Sequence, residues 1–235
     1  MKLEICANSY QSAINAQKAG AHRIELCSEL AVGGITPSYG LLEKVMNDII
    51  IPVYVLIRPR SGDFTYSDSE FEIMKENIQC CKKLGVSGIV SGVLNNDNTI
   101  DYKRTSELIK LSQPLHFTFH RAFDCVVNPI EALKKLSDLG VQTFLTSGQQ
   151  LKAIDGLQLL KQLQENAGNK LTILAGGGIN PRNVHSFKEI GLKAVHASAS
   201  KVIKLNDNDS YFGKTPQTVS DTEIISQLLN AINNA

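Results

Sequence analysis

From Leu3 to Cys6, apolar and polar side chains alternate, with Leu3 and Ile5 on one face and Glu4 and Cys6 on the other. That is the period of a strand with one buried face. Similar apolar runs recur at Val53–Ile57, Leu115–Phe119 and Leu171–Ala175. Four more strands follow one recipe of helix, glycine, strand: Gly20–Cys27, Gly85–Gly92, Gly140–Ser147 and Gly191–Ser198. Each glycine stands where a helix C-cap calls for a left-handed residue. Each run then ends seven residues later in a small or thiol side chain: Cys27, Gly92, Ser147 or Ser198.

Between these strands the 3.6-residue period predicts helices at Gln11–Ala19, Tyr39–Asn47, Asp68–Leu84, Tyr102–Leu111, Pro129–Leu139, Lys152–Ala167, Pro181–Glu189 and Asp221–Ile232. Ser67/Glu70 and Ser220/Glu223 have the spacing of capping boxes. Asn128-Pro129 with Glu131 reads as a helix start. Asn206–Ser210 reads as a polar loop before the last helix. Eight strands alternating with helices imply a parallel sheet. A single-domain (β/α)8 barrel over residues 1–235 fits best; a doubly wound sheet is the alternative and usually has fewer units.

A barrel assigns faces. Leu3, Ile5, Ile24 and Leu26 turn towards the helices, whereas Glu4, Cys6, Glu25, Cys27, Thr118, His120, His196 and Ser198 turn inward. The repeat places Cys6, Cys27, His120, Ser147 and Ser198 in a top layer, with Glu4, Glu25 and His196 one layer deeper. Buried carboxylates need partners. Arg58, Arg60 and Arg121 are the expected ones.

Composition changes this picture little. The 235 residues are 43% hydrophobic and 20% charged with a formal net charge of +1, which gives no footprint for nucleic acid or an anionic membrane. The N-terminus runs straight into a strand pattern, with no secretory or membrane-spanning signal. The expectation is a cytoplasmic protein whose five cysteines are thiols. Cys80 and Cys81 belong to a helix, and Cys125 to the loop after the fifth strand.

Candidate chemistry gathers where strands end, the ligand-binding end of parallel α/β folds. Arg58 and Arg60, separated by Pro59, could clamp a carboxylate or phosphate as paired forks, or serve as internal salt bridges. Gly176-Gly177-Gly178 before a helix start, with Ser198 after the eighth strand and Ser147 after the sixth, could cradle an anion. His120, with Glu25 and Asp124 to orient it and Arg121 beside it, is a general acid/base candidate; the deeper His196 reads as structural. Cys6 and Cys27 end neighbouring strands about 4.8 Å apart. Two facing thiolates suit Cu(I) better than Zn, which wants four ligands. They are equally ordinary as small interior residues.

Taken together, Glu25–Cys27, Gly33–Ser38, Ile57–Phe64, Thr118–Asp124, Leu145–Gly148 and Gly176–Ile179 resemble the CutC family of copper homeostasis proteins. The resemblance implies a TIM barrel, cytoplasmic location, homo-oligomerisation as a dimer or larger, and copper handling with Cys6 and Cys27 as ligand candidates. Two functional readings follow. One is a Cu(I)-binding protein. The other is a barrel enzyme of lyase, isomerase or hydrolase type acting on a small anionic or phosphorylated metabolite, motivated by Arg58, Arg60, His120, Arg121 and Asp124, which copper binding alone does not need.

Overall fold

The computed structural model describes residues 1–204 and 216–234. Eight parallel strands close into a barrel: β1 (Lys2–Ala7), β2 (Arg23–Leu26), β3 (Val53–Leu56), β4 (Gly88–Ser91), β5 (His116–Phe119), β6 (Thr143–Thr146), β7 (Thr172–Gly176) and β8 (Ala194–Ala197). β1 pairs with both β2 and β8, so the sheet has no edge and is not doubly wound. The helices among the described residues are α1 (Tyr10–Lys18), α2 (Tyr39–Asp48), α3 (Asp68–Leu84), α4 (Tyr102–Ser112), α5 (Pro129–Asp138), α6 (Leu157–Ala167), α7 (Val184–Glu189) and α8 (Thr222–Asn233).

The alternation along the strands sorts the core as expected. Leu3, Ile5, Ile24 and Leu26 are fully buried in the layer between barrel and helices. Cys6, Cys27, Tyr54, Leu56 and Val90 form a separate cluster inside the barrel. Burying such aliphatic side chains contributes about 1.5–3 kcal/mol each. The four repeat glycines, Gly20, Gly85, Gly140 and Gly191, all have positive φ, from +76° to +104°. An L-side chain there would strain the turn that feeds β2, β4, β6 and β8.

Several helix starts differ from the sequence reading, each for a local reason. The Ser67–Glu70 capping box forms with both of its hydrogen bonds. The Ser220–Glu223 box does not: Ser220 is the last residue of a strand, and Asp221 caps α8 by accepting from the amides of Glu223 and Ile224. α6 starts at Leu157 because residues 153–156 form a separate 3-10 turn. α7 starts at Val184 because Asn180 and Asn183 take the preceding amides: Asn180 Oδ1 accepts from Arg182 N, and Asn183 Oδ1 from Asn180 N. The Gly176–Gly178 turn therefore does not open onto a helix N-terminus.

The sequence reading contained no strand after β8. The structure has β9 (Ser200–Lys204) and β10 (Gln217–Ser220), an antiparallel pair beside the barrel. α1 holds it, through Asn15 Nδ2 donating to Ser220 O and Ser220 N donating to Ser12 Oγ. The Asn206–Ser210 loop lies outside the described residues.

Candidate functional site

The C-terminal ends of the strands surround a cavity of about 270 Å3. Of the residues expected there, Cys6, Glu25, Arg58, His120, Arg121, Gly177, Gly178 and Ser198 line it. Arg60, Asp124 and Ser147 do not, and their partners explain why. Arg60 binds Glu70 and Asp63 at 2.5 and 3.0 Å, on the outer side of the loop. The two arginines flanking Pro59 thus point to different places and form no clamp. Asp124 accepts from Arg121 Nε at 2.8 Å, from the amide and hydroxyl of Ser147 at 3.0 Å, and from Gln149 N at 3.2 Å. Ser147 also accepts from Arg121 Nη2 at 2.8 Å. This corner ties the loop after β5 to the loop after β6. Asp124 does not orient His120.

His120 is oriented by backbone instead. Its Nδ1 accepts from Ala122 N at 3.2 Å, which leaves the ring proton on Nε2. A Cβ at Gly92 would lie 2.8 Å from that Nδ1, so the ring fits only over glycine. Burial, and then the Arg58 charge, lower the His120 pKa to about 3. It is therefore neutral at neutral pH and, with Nδ1 occupied, presents Nε2–H to the cavity as a donor.

One layer deeper, the inward carboxylates have partners other than the expected arginines. Glu4 is paired with Arg23 on β2 and accepts a 2.7 Å hydrogen bond from His196 Nδ1 on β8. Burial opposes the charge of Glu4, but Arg23 and His196 outweigh it and hold the carboxyl below its usual range. Arg58, Arg60 and Arg121 take no part. Arg23 was legible: it stands two residues before Glu25, and strand alternation puts it on the same inward face. Register confirms this, with Glu4 opposite Arg23 and Cys6 opposite Glu25. Glu25 gets less help; burial raises its pKa to about 7, and its Oε2 is buried without a partner.

The cysteine pair forms as the barrel model requires. Cys6 Sγ lies 3.6 Å from Cys27 Sγ. Both are buried; Cys6 lines the cavity and Cys27 lies behind it. Gly34 lies against them: a Cβ there would sit 3.5 Å from Cys27 Sγ and 2.8 Å from Leu56 Cδ2, and its φ of +86° also demands glycine. The hydrogen bond with Cys27, then burial, push the Cys6 thiol well above its ordinary pKa. Cys6, Glu25 and His196 further bring one sulfur, one oxygen and one nitrogen within 4.8 Å of one another. His196, read from sequence as structural, thus also faces the site. Of the remaining cysteines, Cys81 is buried in α3, Cys80 is half-buried and Cys125 is exposed.

Comparison with known proteins agrees with this architecture. The family model described as CutC family matches residues 1–201. A CutC family protein of Photorhabdus laumondii is 48% identical over 202 residues, spanning 86% of this chain and 81% of its own. The human copper homeostasis protein cutC homolog is 46% identical over 198 residues, 84% of this chain and 72% of its own. A solved structure from Streptococcus agalactiae, named as CutC, superposes with a TM-score of 0.80 at 34% identity, covering 84% of this chain and 98% of that one. A thiamine phosphate pyrophosphorylase from Pyrococcus furiosus, 13% identical with a TM-score of 0.63, shares the fold alone. No helix among the described residues is long and apolar enough to cross a membrane. With the inward thiol pair, the closed barrel and relatives at nearly half identity all in agreement, the chain belongs to the CutC family.

Proposed function

We propose that this protein binds one Cu(I) ion between Cys6 and Cys27 in the cytoplasm, for buffering or delivery. The observation that carries the reading is the 3.6 Å separation of two buried sulfurs, of which that of Cys6 borders the cavity. Thiolates are soft ligands and select Cu(I), whereas structural Zn sites call for four protein ligands. Cys6 and Cys27 would hold the ion between their sulfurs, and the present 3.6 Å contact would have to open to admit it. The family's copper homeostasis name supports the same ion.

The thiol chemistry adds a proton requirement. Cys6 is held protonated by its contact with Cys27 and by burial, so the ion must displace thiol protons as it enters. Affinity should rise with pH. The test is an anaerobic Cu(I) competition titration against a chelator, on wild type and a Cys6→Ser/Cys27→Ser variant. One-to-one binding that disappears in the variant is expected. Binding indifferent to these cysteines would remove the reading.

A further inference from the structure

Arg58 is a buried cation with no carboxylate of its own. It is 5% exposed. Its Nη1 donates to Val32 O and Gly34 O at 2.9 and 2.8 Å, and Nη2 to Gly62 O at 2.7 Å. Its Nε has no acceptor within hydrogen-bond distance; beyond these carbonyls, the buried Tyr66 hydroxyl is a polar neighbour of the guanidinium. Other arginines near the mouth are matched, Arg60 by Glu70 and Asp63 and Arg121 by Asp124, while Arg58 takes part in no ion pair among the described residues. Burying an unmatched charge is expensive, so proteins rarely do it without a counter-ion.

His120 stands beside it with the same kind of unmet demand. It is 4% exposed, its Nδ1 is occupied by Ala122 N, and its Nε2–H has no acceptor. Phe64 links the two groups: its ring centre lies 5.0 Å from the Arg58 guanidinium carbon and 4.8 Å from the His120 ring. Buried polar atoms without partners are uncommon in folded proteins. Two donors of this kind on one cavity wall, one of them charged, specify a ligand that brings oxygen acceptors and negative charge.

The count of charges narrows the class. Arg121 is already neutralised by Asp124, and His120 is uncharged. At the mouth that leaves the charge of Arg58. One layer deeper, Glu25 and His196 also line the cavity beside Glu4 and Arg23, and a carboxyl group there disfavours a second negative charge on the ligand, so a monoanion fits better than a dianionic phosphate ester. The other walls include Leu30, Leu56, Leu145 and Ile179, and about 270 Å3 is below the roughly 300–1,000 Å3 of drug-sized sites. The geometry points to a small monocarboxylate as a ligand of this mouth, with its carboxylate on Arg58 and a neighbouring carbonyl or hydroxyl oxygen on His120 Nε2. The thiols take no part in it, so it stands independently of the copper reading.

Pyruvate, acetate and inorganic phosphate are the probes, titrated calorimetrically into metal-free protein and into the Cys6→Ser/Cys27→Ser variant. Pyruvate is expected to bind both, and more tightly than acetate or phosphate by roughly tenfold or more. The His120 Nε2 resonance of unmutated protein should move with pyruvate. Arg58→Lys and His120→Asn, checked for folding by circular dichroism, should each weaken pyruvate by roughly tenfold. Phosphate binding as tightly as pyruvate would overturn the charge count. No binding of any probe at millimolar concentration, with the ring signal of wild type unmoved, would overturn the site, whatever the variants do.

Discussion

Two corners of the barrel mouth look alike in sequence and differ in structure. After β5 and β6, Arg121, Asp124, Thr146, Ser147 and Gln149 form a closed set in which Asp124 accepts from all four of the others. Elsewhere on the cavity lining, Arg58, His120 and Glu25 each keep a buried polar atom without a partner, and the Cys6 thiol faces that of Cys27 behind it. The first corner uses polar residues to fix loops; the second leaves their capacity unspent. Density of charged residues does not distinguish the two corners; hydrogen-bond saturation does.

The largest effect that sharpens this contrast belongs to the saturated corner. Asp124→Ala removes the shared acceptor of a partly buried ion pair and should destabilise the fold by about 3 kcal/mol. Chemical denaturation measures that loss. Cu(I) affinity of the folded fraction should not change, and a Cu(I) defect as large as that of the cysteine variant would break the division between corners.

Acid stability reads the unsaturated side. The folded pKa of His120, about 3, is below the unfolded value of about 6.5. The unfolded chain therefore takes the proton first as pH falls. The histidine's contribution is complete above about pH 6.5 and is lost towards pH 3, at up to about 1.4 kcal/mol per pH unit. Burial lowers His116 in the same direction, to about 4. Glu25, raised to about 7, acts oppositely, its contribution being lost as pH rises from about 4.5 through 7. Urea midpoints of wild type against His120→Asn isolate the histidine: the variant should lose less stability between pH 6.5 and 5. Equal slopes would mean that His120 is not held neutral by burial.

Gly92→Ala is a smaller test. Its Cβ would press on His120 Nδ1 at 2.8 Å, costing about 1–3 kcal/mol as overpacking. It should also disturb the His120 ring resonances without touching the cysteines. Smallest is Arg60→Ala. This pair is 36% exposed on the arginine side, so its loss should cost under about 1 kcal/mol and leave both ligands' affinities alone. A binding defect in Arg60→Ala would restore the paired-arginine clamp.

The fold was legible because both of its periods were written plainly. Leu3/Ile5 against Glu4/Cys6 set the barrel's two faces, and the four repeat glycines marked where each second strand begins. The same alternation brought Cys6 to Cys27. Partners across the barrel were harder. Arg58, Arg60 and Arg121 drew attention by clustering near motif residues, yet Glu4 took Arg23 and His196, which lie 19 and 192 positions away. Register between strands, not sequence proximity, decides such pairs. His120 was found by its place at a strand end, but its tautomer depends on one backbone amide, which no residue pattern discloses. The strands β9 and β10 were missed because two short runs of four or five residues carry too few alternations to distinguish from loop.

The most direct test of the copper claim is X-ray absorption at the copper edge of the anaerobically Cu(I)-loaded, otherwise unmodified protein. Cys6 and Cys27 as the ligands predict a first shell dominated by two sulfurs, with no requirement for nitrogen or oxygen. A shell of nitrogen and oxygen with at most one sulfur, as Cys6, Glu25 and His196 would give, would contradict the facing-thiol account.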